Sequence, residues 1–313
     1  MVRTPNHANA QILPPLPPWA RLDAPTTETG AAFRAGAALA ALDARVQAEA
    51  RVPFAGVWRC RLALKAAAAS ARIARRGEDE AMLRDAFFLR QSGDDPGPGG
   101  RLLLAWRALD RSTPLDDDAV LHVAVFFGLQ VDEALKTAIA GAQQLATSND
   151  VAPLAAAQAM RIVCAQRPDA EILATWLADA VLAARLKWPR PLPLVAAALL
   201  NPSLRTLGRR PHPSDASWVL SCHAAYARAA AQACDLFAEL ERNSQKLLAV
   251  ERRLRAKGAK AVIEKLHDED AVPPSARIGA ISDRGLRRLF DRLVALGAVR
   301  ELTGRSTFRL YGL

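Results

Sequence analysis

The stretch Ser282–Leu313, SDRGLRRLFDRLVALGAVRELTGRSTFRLYGL, carries two hydrophobic periods in succession. Leu286, Leu289, Phe290, Leu293 and Leu296 recur at three- and four-residue steps, which places them on one face of a helix. Ser282 stands where an N-cap belongs, and Gly297 where a C-cap glycine belongs. Beyond Gly297 the period shortens. Val299–Thr303 and Ser306–Tyr311, joined by Gly304-Arg305, read as two short strands of a β-hairpin.

Working outward, Ala259–Leu266 reads as a short helix with Val262, Ile263 and Leu266 on one side. His267-Asp268-Glu269-Asp270 ends it. Pro273-Pro274-Ser275 can then start a second turn of helix through Arg277 and Ile278. Three helices followed by a hairpin is the order of a winged helix, whose third helix enters the DNA major groove while the hairpin tip reaches the adjacent backbone. The residues this leaves to contact double-stranded DNA are Arg284, Arg287, Arg288 and Arg292 on the third helix, Arg305 at the hairpin tip, and Arg309 behind it. The guanidinium fork suits both phosphate and guanine edges. Winged helices also dock on proteins, so a protein-interaction module without DNA binding stands as the alternative.

Charge supports the first reading. The chain carries +10 overall. From Ala271 onward, eight arginines face only Asp283, Asp291 and Glu301, so half of the excess sits in about a seventh of the length.

The rest of the 313 residues is rich in alanine and leucine and holds only 5% aromatics, which favours helices over strands. Amphipathic segments are expected over 31–49, 58–76, 78–90, 102–109, 119–127, 131–146, 152–166 and 169–187, with a break at Gly93–Gly100. Asp116 and Asp169 are expected caps. A long helix is expected from Ser214 or Asp215 to Lys257, in which Leu236, Leu240, Asn243, Leu247, Val250 and Leu254 form a heptad seam. That seam can join a homodimer or pack on the chain's own body. The expected fold class is thus all-α: a multi-helical bundle (29–257) behind a proline-rich leader (1–28), with a C-terminal winged helix-turn-helix (258–313). The leader's prolines suit a stiff arm laying Trp19 on the first helix, or a ligand for an aromatic groove.

Cys60, Cys164, Cys222 and Cys234 are spaced neither for a disulfide framework nor for a metal knuckle, and read as free thiols of a cytoplasmic protein. No apolar run is long enough for a signal peptide or a membrane span. His122 reads as a core histidine. Glu78-Asp79-Glu80 and Asp116-Asp117-Asp118 sit at helix starts, where acids favour the dipole. No catalytic residue, metal ligand or cofactor site is assigned, and an enzyme is not expected.

The segments AFRAGAAL (32–39), WRCRLALKAAA (58–68), GDDPGP (93–98) and RELTGR (300–305) resemble an alphaproteobacterial domain-of-unknown-function family, number 1403, over nearly the full length. That resemblance implies no particular activity. Ala66–Asp85, with Ser70, Glu78-Asp79-Glu80 and Leu83, is also similar to the N-terminal helices of Fic-type proteins, some of which end in a winged helix. The His-Pro-Phe…Gly-Asn-Gly-Arg loop that carries nucleotidyl transfer in that group is absent from this sequence.

Overall fold

Alanine decides how these helices meet, because a face of methyl groups lets two backbones approach closely. In a computed structural model, which describes residues 13–21, 27–90, 93–110, 114–205, 208–251, 254 and 258–313, the chain is helical almost throughout. The elements are α1 (Glu28–Ala48), α2 (Ala55–Ile73), α3 (Glu80–Phe88), α4 (Gly97–Arg107), α5 (Asp117–Phe126), α6 (Glu133–Gln144), α7 (Ala152–Gln166), α8 (Glu171–Arg185), α9 (Val195–Leu199), α10 (Trp218–Glu251), α11 (Ala259–Asp268) and α12 (Asp283–Ala295), then β1 (Arg300–Glu301) and β2 (Tyr311–Gly312). α1 lies along α10 through Ala31, Ala35, Ala38 and Leu42 on one side and a run of buried alanines from Ala224 to Ala233 on the other. Among the described residues no helix is long and apolar enough to cross a membrane.

Five tryptophans fasten this packing. A buried indole needs a partner for its N–H, and each finds one on another segment. Trp58 donates to the Ala233 carbonyl, Trp106 to Ser70 Oγ, Trp176 to the Ala105 carbonyl, Trp218 to the Ala157 carbonyl and Trp188 to Asp43. α2, α4, α7, α8 and α10 are thereby tied crosswise. Trp19 stacks on Phe33 of α1 at 5.7 Å, as expected of a leader laid on the first helix. Residues 1–12 and 22–26 of that leader lie outside the described residues.

Helix starts follow short polar side chains. Thr27, Asp79, Asp116, Asp132 and Ser282 each accept a backbone N–H of the first turn. Several expectations need correcting. The break at 93–100 is shorter than expected: α4 already starts at Gly97, where Asp95 accepts the Gly97 N–H, and Pro98 sits in a first turn that needs no donor from it. Asp169 does not cap α8, because its carboxylate pairs with Arg167. Asp215 accepts the His212 N–H instead of capping, so α10 starts only at Trp218. α9 was not anticipated among the prolines that precede it. The fully buried Asp179 makes it possible by accepting the N–H groups of Leu194 and Val195, with the Tyr226 hydroxyl as a third donor. Burial pushes the Asp179 carboxyl up to about 8, against the pull of those donors. His122 is not a core residue: it is exposed and stands edge-on to Phe126 at 4.6 Å.

The heptad seam is spent inside the chain. Leu236, Leu240 and Leu247 are buried in the common core, Val250 and Leu254 pack against it, and Ser244 takes the inner polar position by bonding His267 of α11 at 2.9 Å. Of the two uses expected for the seam, these leucines serve packing on the chain's own body. The expected continuation to Lys257 lies outside the described residues, apart from Leu254. All four cysteines are free thiols.

Candidate nucleic-acid interface

The C-terminal segment is built on α12. Ser282 Oγ accepts the Gly285 N–H at 3.2 Å, and Leu286, Leu289, Phe290 and Leu293 are buried, as their spacing requires. Gly297, at φ +65°, ends the helix with its neighbour Ala298 donating back to the Leu293 carbonyl. β1 and β2 pair antiparallel, Arg300 opposite Gly312 and Glu301 opposite Tyr311, and Val272 bridges Tyr311 from the other side. Phe290 stacks flat on Tyr311 at 4.3 Å, which fixes the strand pair on α12. The strands are shorter than expected, because Glu301 folds the connection back on itself. Its carboxylate accepts the N–H groups of Thr303 and Gly304, both at 2.8 Å. Burial works against that carboxylate, but a hydrogen bond from the Thr303 hydroxyl together with these two outweighs it, and its pKa falls below the ordinary value.

The second of the three expected helices is absent. Between Val272 and Ser282 there are only turns, at Pro273–Ala276 and Ile278–Ile281. Two adjacent prolines and Gly279, at φ +54°, leave too few residues to propagate a helix.

Arg284, Arg287, Arg288 and Arg292 are all exposed on α12, and among the described residues none of them meets a carboxylate. Their helical angles span an arc of roughly 140° at 100° per residue, with Asp291 inside it. Arg309 is exposed across the groove, its Nε donating to the Arg305 carbonyl. The groove between α12 and the 306–309 segment is lined by Arg287, Asp291, Ser306, Thr307 and Phe308, with Pro274 at one end. Arg305 departs from expectation: its guanidinium holds Asp85 of α3 at 2.6 Å, so the tip of the connection folds onto the body.

What positions this face was not read from the sequence. The buried carboxylate of Asp270 takes Arg61 of α2 at 3.0 Å and Arg84 of α3 at 2.5 Å. Glu269 takes Arg107 at the end of α4 at 2.8 Å. Arg61 also bonds the Leu313 carbonyl, and Cys60 Sγ donates to the Asp268 carbonyl. Gly56 is required for this approach, since a Cβ there would stand 2.7 Å from the Asp268 Cα. The residues before Lys257 and after Gly258 thus share one hydrophobic cluster and one ion-pair network. The sequence offered a faint signal in the WRCRLALK segment, where two arginines interrupt an apolar helix. Arg59 finds Glu49 and Asp110 within the body, but the partner of Arg61, Asp270, lies 209 residues away, beyond any local pattern.

Burial pushes the Cys60 thiol up to about 11, so it is a thiol and not a thiolate near neutral pH. Comparison with curated proteins returns no match. A family model described as a protein of unknown function (DUF1403) matches residues 5–313, nearly the whole chain, and the chain belongs to that family.

Proposed function

We propose that the exposed face of α12 binds double-stranded DNA, and that the protein acts in transcription regulation. One observation carries this reading: α12 exposes four arginines, and the 284, 288, 292 row among them is unfavourable for the helix. Arg284 lies in the first turn, where a cation opposes the helix dipole, and 284, 288 and 292 are like charges at four-residue steps. Among the described residues none of them forms an ion pair, and their nearest acids along the helix are Asp283 and Asp291. Positions that break a local rule without internal compensation point to a partner, here a polyanion. The order of α11, the Val272 bridge, α12 and a strand pair supports a winged-helix reading with turns in place of the middle helix. Arg287, Arg288 and Arg292 would face the groove and its phosphates, with Arg284 at the helix start and Arg309 alongside. Arg305 would join them only by releasing Asp85.

The test is fluorescence anisotropy with a random-sequence duplex at two salt concentrations, beside Arg287→Ala/Arg288→Ala. The reading requires binding that weakens with salt, and a salt slope lowered by about 0.9 for each phosphate contact removed. A protein partner is favoured by Phe308, which is 71% exposed in a left-handed conformation at φ +53°. No duplex binding at low salt would move the assignment there.

A further inference from the structure

A cavity of about 370 Å³ opens between α2, α4 and α5, and no residue of α12 lines it. Its apolar walls come from Ala63, Leu104, Phe126 and Pro193. The polar groups around it divide into two kinds. Arg59 is fully engaged: both Glu49 oxygens, Asp110 and the Pro191 carbonyl take its N–H groups at 2.7–2.9 Å. Asp110 is in turn shared with Arg190 at 3.1 Å, so this side is neutral and its acceptors are occupied. Arg107 and His122 are different. Arg107 lays its guanidinium over Phe87 at 4.8 Å and gives one nitrogen to Glu269. Among the described residues its Nε and Nη1 make no hydrogen bond, and neither does the His122 ring. The cavity therefore has apolar walls and a surplus of donors, the chemistry that receives a flat organic anion.

We infer that this cavity binds a small organic carboxylate with a flat apolar body, its carboxylate on Arg107 and His122 and its body between Leu104 and Phe126. Occupancy is linked to the C-terminal segment. Arg107 holds Glu269, and Cys60 on the same wall holds the Asp268 carbonyl, so a ligand carboxylate competes with Glu269 for Arg107. The inference stands whether or not α12 binds DNA.

The experiment titrates the full chain calorimetrically with 1-naphthoate, with 1-naphthylmethanol as the uncharged control and inorganic phosphate as the control without an apolar body. Naphthoate should bind, and both controls should bind on the order of ten-fold more weakly. Arg107→Met should weaken naphthoate by a similar factor, and Leu104→Trp should fill the cavity and block it. Glu269→Gln should tighten binding several-fold, because it releases Arg107; a merely nonspecific apolar site would not respond. Amide exchange over 269–272 should rise when naphthoate is bound. The DNA-face variant Arg287→Ala/Arg288→Ala should bind naphthoate unchanged, which separates failure here from failure of the DNA reading. Absence of naphthoate binding, or binding indifferent to Arg107→Met and Leu104→Trp, would overturn the site. Binding without change over 269–272 would overturn the link.

Discussion

Arg59, Arg61, Arg84 and Arg107 in the body and Arg284, Arg287, Arg288 and Arg292 on α12 are the same side chain on comparable helices, put to opposite use. The body's four are buried or half-buried, and each faces a carboxylate. Those of α12 are exposed, and among the described residues none forms an ion pair. A guanidinium taken out of water costs several kcal/mol unless a carboxylate and further hydrogen bonds compensate. The body's arginines are therefore tied to the fold through their partners, and removal of one partner should be felt throughout. The arginines of α12 give the fold almost nothing, so their charge is available to something outside the chain.

The strongest way to break this comparison is Asp270→Ala. It leaves Arg61 and Arg84 facing each other without the buried carboxylate that joins them. Urea unfolding should show a loss of about 3–5 kcal/mol. A loss below about 1 kcal/mol would mean that water already supports these arginines, and the contrast with α12 would collapse.

Among the described residues the body leaves a few buried side-chain nitrogens without a hydrogen-bond partner, Nε of Arg45 and of Arg185 and the ring of His223. Both ring nitrogens of His223, on α10, are buried without a partner. Burial lowers its pKa, and the opposing pull of Glu28 at the start of α1 does not restore it. The unfolded chain then binds a proton that the folded one resists. The contribution of His223 should fall as pH drops below the unfolded histidine value of about 6.5 and be fully present above it. Asp179 acts in the opposite sense, since its raised carboxyl loses stability as pH rises towards about 8. His223→Leu should gain about 1–2 kcal/mol, and the gain should grow as pH falls from 7 to 5, measured as the difference between variant and parent by thermal unfolding across that range. An unaltered pH profile would show that His223 is hydrated after all.

Much of this was legible locally. The α12 period, its Ser282 cap and its Gly297 terminus follow from steps of three and four, and so do most of the body helices. The α12 arginines were legible because exposure on an amphipathic helix is a local property. Pairing is not. Arg305 was placed at a free tip, but Asp85, 220 residues earlier, holds it. The apolar neighbours of His122 point to a core position, but a face of α5 open to the cavity keeps it exposed. The missing middle helix fails on local grounds, two adjacent prolines and Gly279, whereas α9 forms because a distant acceptor, Asp179, takes the N–H groups at its start.

A smaller effect tests the point where the two classes of arginine meet. The Arg305–Asp85 pair is partly exposed, at 45% and 30%, so solvent screens it. A double-mutant cycle of Arg305→Ala and Asp85→Ala should give a coupling of about 0.2–1 kcal/mol. A coupling near zero would return Arg305 to the α12 class and to the DNA-contact set.

The smallest effect is the most discriminating. Arg288 has like-charged neighbours at Arg284 and Arg292, four residues on either side, and among the described residues no carboxylate pairs with it. Such pairs destabilise a helix by about 0.2–0.5 kcal/mol each, and glutamine keeps a comparable helix propensity. Arg288→Gln should therefore leave stability unchanged or raise it by a few tenths of a kcal/mol, measured by urea unfolding at low and high salt. The gain should shrink at high salt, because screening already relieves the repulsion. A structural arginine cannot behave this way, since losing it must cost stability. If Arg288→Gln destabilises the chain by more than about 1 kcal/mol, α12 belongs with the body and its charge has an internal partner. If the variant is stable and duplex binding weakens, the arginine is kept at the helix's expense for a partner outside the chain.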